Sequence, residues 1–366
     1  MQEELLFQVA LTMIPQIGNA IGRELLEHVG AASDIFKLSR RKLELIPSVG
    51  PIRAQIIKSF QDFERVEQEL KFIEKYNVQT LWLQDAAYPQ KLSHCNDAPL
   101  MLYFKGNADL NRERIISIVG TRHPSAYGLQ LCRDLVTDLN DKNIMIISGL
   151  AYGIDIAAHR TCLKTGIPTI GVLGHGLDRI YPQIHLPEAR EMLQHGGLLT
   201  DFPSRTEPGR QHFPRRNRIV AGLSSATIVI ESGEKGGSMI TARLAFDYNR
   251  DVFAFPGRVS DPASRGCLQL VQSQKAALVK NAQDILEALG WEDNRLRTYT
   301  PQRSIFPSLG NDEVIIFNLL QNHKILHIDD ITRESGFNTG KANGILLGLE
   351  LQSVIRTLPG KMYELL

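Results

Sequence analysis

IMIISGLAYGID, from Ile144 to Asp155, holds an apolar β-type run that stops at Ser148-Gly149, after which Gly153 opens a helical segment. A strand that ends in small residues and turns into a helix points backbone N–H groups, and the positive end of the helix dipole, at one spot. Such a spot suits an anion. The pattern recurs along the chain. Ile115–Val119 runs into Gly120-Thr121-Arg122, Thr169–Leu173 into Gly174-His175-Gly176, and Ala226–Ile230 into Glu231 and Gly236-Gly237-Ser238. Strand ends of this kind along one sheet edge make a phosphate-binding surface, for a nucleotide or for a nucleic-acid backbone.

Outward from these motifs, residues 114 to about 289 alternate strands with helices. Strands are expected at Ile115–Val119, Ile144–Ile147, Thr169–Leu173, Leu198–Thr200, Ala226–Ile230 and Val252–Phe255, with helices such as Tyr127–Asn140, Ile154–Thr165 and Ser238–Asn249 between them. That alternation predicts an α/β fold with a doubly wound, mainly parallel (Rossmann-like) sheet that binds ligands at the strand carboxyl ends. Leu81–Asn111 reads as irregular around one strand, Leu100–Phe104. Toward the N-terminus, Ile14-Pro15-Gln16-Ile17-Gly18 and Ile46-Pro47-Ser48-Val49-Gly50 each start a helix, the pattern of a helix-hairpin-helix or SAM-like domain. Turn amides in that motif can touch a phosphate without reading bases; no Lys or Arg cluster lies in these turns, so a plain helical bundle is the competing reading. Toward the C-terminus, helices at Asp312–Gln321, His327–Ser335 and Asn338–Leu351 precede a hairpin of Val354–Leu358 and Met362–Leu365, a winged-helix-like order. The third helix offers only Lys341 and Asn343 among Leu and Gly, which fits protein interaction or tethering at least as well as DNA reading. The expected domains are 1–78, 79–290 and 312–366, with a polar linker at 291–311.

The chain has 366 residues, 43% hydrophobic and 22% charged, which suits two or three domains of an ordinary soluble protein. No apolar run approaches the roughly 20 residues that span a bilayer, and the acidic start MQEELLFQ argues against export. The expected location is cytoplasmic. Cys95, Cys132, Cys162 and Cys267 are scattered, without ligand spacing for a metal. A net charge of +1 carries no global sign of nucleic-acid binding, but Arg205–Arg218 sets five arginines against the single Glu207.

Arg122 follows the first strand and can reach a phosphate, with Gly120 leaving room for close approach. Ser148 and Gly149 can donate to the same anion or simply form a tight turn. Asp155 and His159, four apart on one helix face, have the look of an acid–base pair; a structural hydrogen bond is favoured. Pro214 at a helix start is followed by Arg215, Arg216 and Arg218, which cannot all point inward. Phe213 can stack a base, worth about 1–3 kcal/mol in single-strand binders, or fill the core. Asn217 and Arg218 can instead brace the loop from behind. Ser238 can cap the helix that bears Thr241 or bind an anion at its N-terminus, with Lys235 adding charge just before.

VGTRHPSAYG, SGLAYGIDIAAH, GVLGHGLDRIYP, FPRRNRIVAGLS, GGSMITARLA and VFAFPG occur in this order. Through them the chain resembles the DNA-processing protein A family, also called Smf, of bacteria. The resemblance implies single-stranded DNA binding, loading of the RecA recombinase in natural transformation, and a homodimer formed through the sheet domain. It also implies that Arg210 contacts the strand. The chain departs from the family pattern after Pro256-Gly257, where Gln274-Lys275 stands in the position of a glycine.

Two functions remain in competition. A single-stranded DNA binder needs small donors and cations, which the strand ends supply. A nucleotide-cleaving enzyme of the phosphoribohydrolase kind needs an acid such as Glu231 to stabilise a ribosyl cation, but the compact Gly-Gly-x-Gly-Thr-x-x-Glu pattern is missing. No P-loop, metal cluster, Gly-x-Ser-x-Gly elbow or Gly-x-Gly-x-x-Gly fingerprint is present. The binding reading therefore expects no catalytic residue, cofactor or metal.

Overall fold

A computed structural model describes residues 2–292, 309–352 and 354–366. The chain forms two compact units, Met1–Ala277 and Leu278–Leu366. The expected linker lies, from 293 to 308, outside the described residues.

The strands that the apolar runs predict fall within two residues of their expected ends. Ile115–Val119 is β3, Met145–Gly149 β4, Thr169–Val172 β5, Gly196–Thr200 β6, Ala226–Val229 β7 and Asp251–Ala254 β8. The region 81–111 is more regular than its sequence suggests: Gln79–Trp82 (β1) and Met101–Gly106 (β2) pair antiparallel, with a short helix, Gln90–Ser93, between them. With Ala277–Leu278 (β9), these strands make one sheet in the order β1-β2-β6-β5-β4-β3-β7-β8-β9. The β6-β5-β4-β3-β7-β8 stretch is parallel throughout, and β2 joins β6 antiparallel. After β6 the chain crosses to the far side of β3, so the winding reverses between β3 and β7, where doubly wound sheets bind ligands.

Strands β3, β4 and β5 contact the helix Ile154–Thr165 as well as the helix His212–Leu223. Ile115, Val119, Met145, Ile147, Ile170 and Val172 share a core with Ile219, Val220 and Leu223 of the latter helix. Parallel strands clothed by helices need mostly apolar side chains, hence the Ile- and Val-rich runs, and the buried Ser117 of β3 and Thr227 of β7 satisfy each other at 2.7 Å. The turn after Pro256-Gly257 is kept without its glycine: Gln274 takes φ +56, and the Leu270 carbonyl accepts from Lys275 N at 2.9 Å.

In the N-terminal region the helices Asn19–Val29 and Gly50–Lys58 follow the two Ile-Pro-x-apolar-Gly turns. The middle residue of each turn is left-handed, Gln16 at φ +62 and Ser48 at φ +61, but the closing glycines differ, Gly18 at φ -80 and Gly50 at φ +60. The N-terminal region buries Val9, Leu11, Leu25, Ile35, Leu43 and Ile57 in one core with Trp82, Met101 and Tyr103 of β1 and β2.

The second unit holds the helices Asn311–His323, Ile328–Ser335 and Thr339–Leu351. Its three-stranded sheet comprises Ile325–His327 (β10), Ile355–Leu358 (β11) and Met362–Leu365 (β12), in the order β10-β12-β11. Three helices with this small sheet form a winged helix around Ile316, Leu320, Ile331, Leu346 and Leu349. β10 is an addition to the sequence reading. Lys341 is held by Asp312 at 2.9 Å and lies over the Phe337 ring. Its charge is thereby committed within the unit.

The β5–β6 junction depends on one backbone approach. Gly196 has φ +141, and a Cβ there would lie 1.9 Å from the Thr169 carbonyl oxygen. Gly196→Ala is expected to destabilise the protein by about 3 kcal/mol or more, read as a lower urea midpoint in full-length protein; an unchanged midpoint contradicts this role.

Candidate nucleic-acid interface

Because β3 to β7 are parallel, the segments that leave them emerge along one edge. They enclose an open groove of about 1080 Å³. Gly120 and Arg122 come from the β3 end, Arg210 from the β6 loop, Phe213 and Asn217 from the next helix, and Lys235, Ser238 and Thr241 from the segment after β7. Eight of the twelve residues singled out from the sequence thus line one groove. Ser148, Gly149, Arg215 and Arg218 do not.

The helix His212–Leu223 sorts its side chains by phase. Phe213, Arg216, Asn217 and Val220 recur at helical spacing and face the groove. Arg215 and Arg218, one turn apart, face away toward Asp201 at the end of β6. Arg218 Nη2 meets Asp201 Oδ2 at 2.5 Å, and Arg215 Nε meets it at 3.3 Å while its guanidinium lies over the Phe202 ring. Arg218 also donates to the Asp97 carbonyl. Arg218 therefore braces the loop, and Arg215 is corrected from groove residue to partner of Asp201. Arg216 was missing from the expected site, although the 213–216–217–220 stripe is the sequence signal that marks it.

Arg216 is buried at the groove floor, and its Nε has no hydrogen-bond partner among the described residues. It faces Asp155 across Gly149, where an added Cβ would sit 2.0 Å from Arg216 and 2.4 Å from Asp155. Gly149 thus leaves room for two buried side chains of opposite charge that face each other across it. Burial pushes the Asp155 carboxyl above the usual carboxylate range, with Arg216 pulling the other way; burial also draws Arg216 below the usual guanidinium value. Ser148 is fully buried, and its hydroxyl donates to the Ile118 carbonyl at 2.6 Å, so it cannot serve a ligand. Gly120 lines the groove, but a Cβ there would lie 2.5 Å from Ile154. Helix–strand packing, more than ligand approach, demands that glycine.

His159 does not pair with Asp155. Its ring lies 2.5 Å from the Gly149 carbonyl and 2.7 Å from Thr169 Oγ1. It is structural, as favoured from sequence. Glu231 accepts from Ser125 N at 2.8 Å, at the start of the helix Ala126–Asp138, and does not line the groove. A ribosyl cation bound there would find that carboxylate turned away.

The far wall is the N-terminus of the helix Gly237–Asp247, which has no side-chain cap. Its first N–H groups are open to an anion. Ser238 does not cap it; its Oγ bonds Ser232 Oγ at 2.8 Å. Asn217 Nδ2 and Thr241 Oγ1 both donate to the Gly237 carbonyl, at 3.2 and 3.0 Å, and fix the turn. Phe213 is half-buried, with the Arg122 guanidinium 5.6 Å from its ring centroid. It is neither core filler nor a bare platform. Arg122, Arg210, Lys235 and Arg243 are exposed on the groove, and none is in an ion pair among the described residues.

All four cysteines are buried and free, and burial pushes the Cys132 thiol up to about 12. Among the described residues no cluster gathers metal ligands, and no helix is long and apolar enough to cross a membrane.

The family model for DNA recombination-mediator protein A matches residues 79–290, and that for the DprA winged helix domain matches residues 301–361. The chain is 40% identical to DNA processing protein DprA of Bacillus subtilis, over 63% of this chain and 77% of that protein. It is 34% identical to Protein Smf of Escherichia coli, over 82% of each. The solved DNA processing protein A of Streptococcus pneumoniae aligns with a TM-score of 0.66 at 32% identity, covering 76% of this chain and 95% of that one. The Helicobacter pylori protein, in a structure described for its single-stranded DNA binding mode, aligns with a TM-score of 0.53 at 31% identity, covering 58% and 97%.

Burial holds His159 at about 4, against 6.5 when free. Between those values the unfolded chain binds a proton that the native protein refuses. Stability is therefore full above pH 6.5 and falls as pH drops toward 4. The share lost from pH 7 to 5 is about 2 kcal/mol; urea titrations at both pH values should show it in the native protein, and His159→Asn should lack it.

Proposed function

The chain belongs to the DNA recombination-mediator protein A family, and from that footing we propose that it binds single-stranded DNA by its phosphates along the groove. The observation that carries this reading is the row of exposed, unpaired cations, Arg122, Arg210, Lys235 and Arg243, set around an uncapped helix N-terminus. A single nucleotide needs one such contact, whereas a strand needs several spaced along an open cleft. The Helicobacter pylori relative, described for its single-stranded DNA binding mode, supports the choice of ligand. Phe213 supplies an aromatic edge for a base without reading its identity.

The same proposal includes a binding role without catalysis and a cytoplasmic location. It also includes two partners, the RecA recombinase and a second copy of the chain joined through the sheet domain. Glu231 and His159 support a role without catalysis, because each is committed to an internal partner.

Filter-binding or anisotropy titrations of the full chain with single-stranded and duplex DNA across a salt series test the reading. Single strands should bind tighter, with little sequence preference. Arg122→Ala should flatten the log affinity–log salt slope by about 0.7, the increment for one lost single-strand phosphate contact. Arg215→Ala, which removes a cation that faces away from the groove toward Asp201, should leave the slope as it is. Equal slopes for the native protein and Arg122→Ala would take Arg122 out of the site.

A further inference from the structure

Glu69 lies on the buried stripe Val66–Glu69–Ile73 of the helix Phe63–Lys75 and is fully buried. A carboxylate in an apolar stripe must find donors, and it finds them 135 residues away in the chain. Its Oε1 accepts from Ser204 N at 2.9 Å, and its Oε2 accepts from Ser204 Oγ at 2.5 Å and from Arg65 Nη2 at 2.8 Å. Arg65 also donates to the Ser204 carbonyl. Ser204 belongs to the β6 loop, six residues before Arg210, and its neighbour Arg205 is left-handed at φ +66. That conformation is held from both sides: Arg205 Nη1 donates to Gln68 at 2.5 Å, and Arg205 N donates to Asp178 at 2.8 Å. Beyond it, Thr206 accepts from Gly176 N at 3.2 Å, and the Glu207 carbonyl bonds His212 Nδ1 at 3.0 Å.

We infer that Glu69 is a positioning residue for strand binding: through Ser204, the N-terminal helices hold the β6 loop in the shape that presents Arg210 to the groove. The helical region then serves the site without touching DNA. Two facts support this role beyond fold stability. The contacts converge on one short loop, and that loop carries a groove cation with no ion-pair partner among the described residues. A backbone φ that non-glycine residues disfavour persists only where its surroundings impose it. Once the clamp is released, the loop relaxes and Arg210 loses its fixed place.

The inference rests on the groove being the strand site, and the test separates the two. Full-length Arg210→Ala, Glu69→Gln, Ser204→Ala and the double variant Glu69→Gln/Arg210→Ala are titrated with single-stranded DNA across a salt series, after thermal melts confirm folding. Ser204→Ala removes one hydroxyl contact and leaves the Glu69–Arg65 pair intact, so it reports even if Glu69→Gln fails to fold. Arg210→Ala should lower the salt slope by about 0.7. Glu69→Gln and Ser204→Ala should lower it in the same direction, and the double variant should match Arg210→Ala alone. A normal Arg210→Ala effect with native binding in a folded Glu69→Gln or Ser204→Ala overturns this inference only; additive losses in the double variant do the same. An Arg210→Ala slope equal to that of the native protein removes Arg210 from the groove site and overturns this inference with it.

Discussion

A guanidinium buried at the floor of an otherwise open groove is the constraint around which the site is arranged. Arg216 has given up most of its water, and such a cation survives only opposite a carboxylate that has done the same. Asp155 supplies the opposing charge, and the two side chains fit only because Gly149 has no Cβ. The residues of SGLAYGID read as an anion turn are thus better understood as the seat of Arg216. Three further features follow from that seat. The helix His212–Leu223 must start where Phe213 reaches the groove, His159 must brace the Gly149 carbonyl, and Ser148 must turn inward to Ile118.

The cations divide according to which have a carboxylate. Arg215 and Arg218 share Asp201, whereas Arg122, Arg210, Lys235 and Arg243 have none among the described residues. Pairing consumes the field that a positive side chain would project into solvent, so the second set dominates the potential of the groove. A near-neutral total charge is compatible with this. The binding surface requires a local surplus on one edge, and the parallel strands gather their ends on that edge.

How much was visible beforehand depended on the range of the interaction concerned. Strands β3 to β8 announced themselves through apolar runs ending in small residues, because burial on both faces leaves no other composition open to them. β1 and β10 did not: Gln79–Trp82 has only Leu81 and Trp82 buried, and Ile325–His327 is three residues long. The helix start after each N-terminal turn was legible from spacing, but the left-handed middle residues, Gln16 and Ser48, are not glycines and gave no sign. Arg216 was legible in principle, since helical phase separates it from Arg215 and Arg218. Which of the two faces met Asp201 was not, because that depends on a loop's path. The Glu69–Ser204 contact is the extreme case, a charged residue in an apolar stripe whose partner lies far along the chain.

Three groups that chemistry could draw on are engaged or buried. A glycosidic or phosphoryl transfer needs an acid or base free to exchange a proton with its substrate. Glu231 is held by the backbone at Ser125, Asp155 is buried facing Arg216, and His159 is held by Gly149 and Thr169, with burial keeping His159 neutral well below pH 6. Releasing any of them would cost a buried hydrogen bond or expose an unpaired charge, each worth more than the roughly 1 kcal/mol of an ordinary net hydrogen bond. The exposed groups around the groove include four cations and the open N–H groups of a helix start, which suit holding a phosphate. A surface built this way suits an extended polyanion held by the number of its contacts.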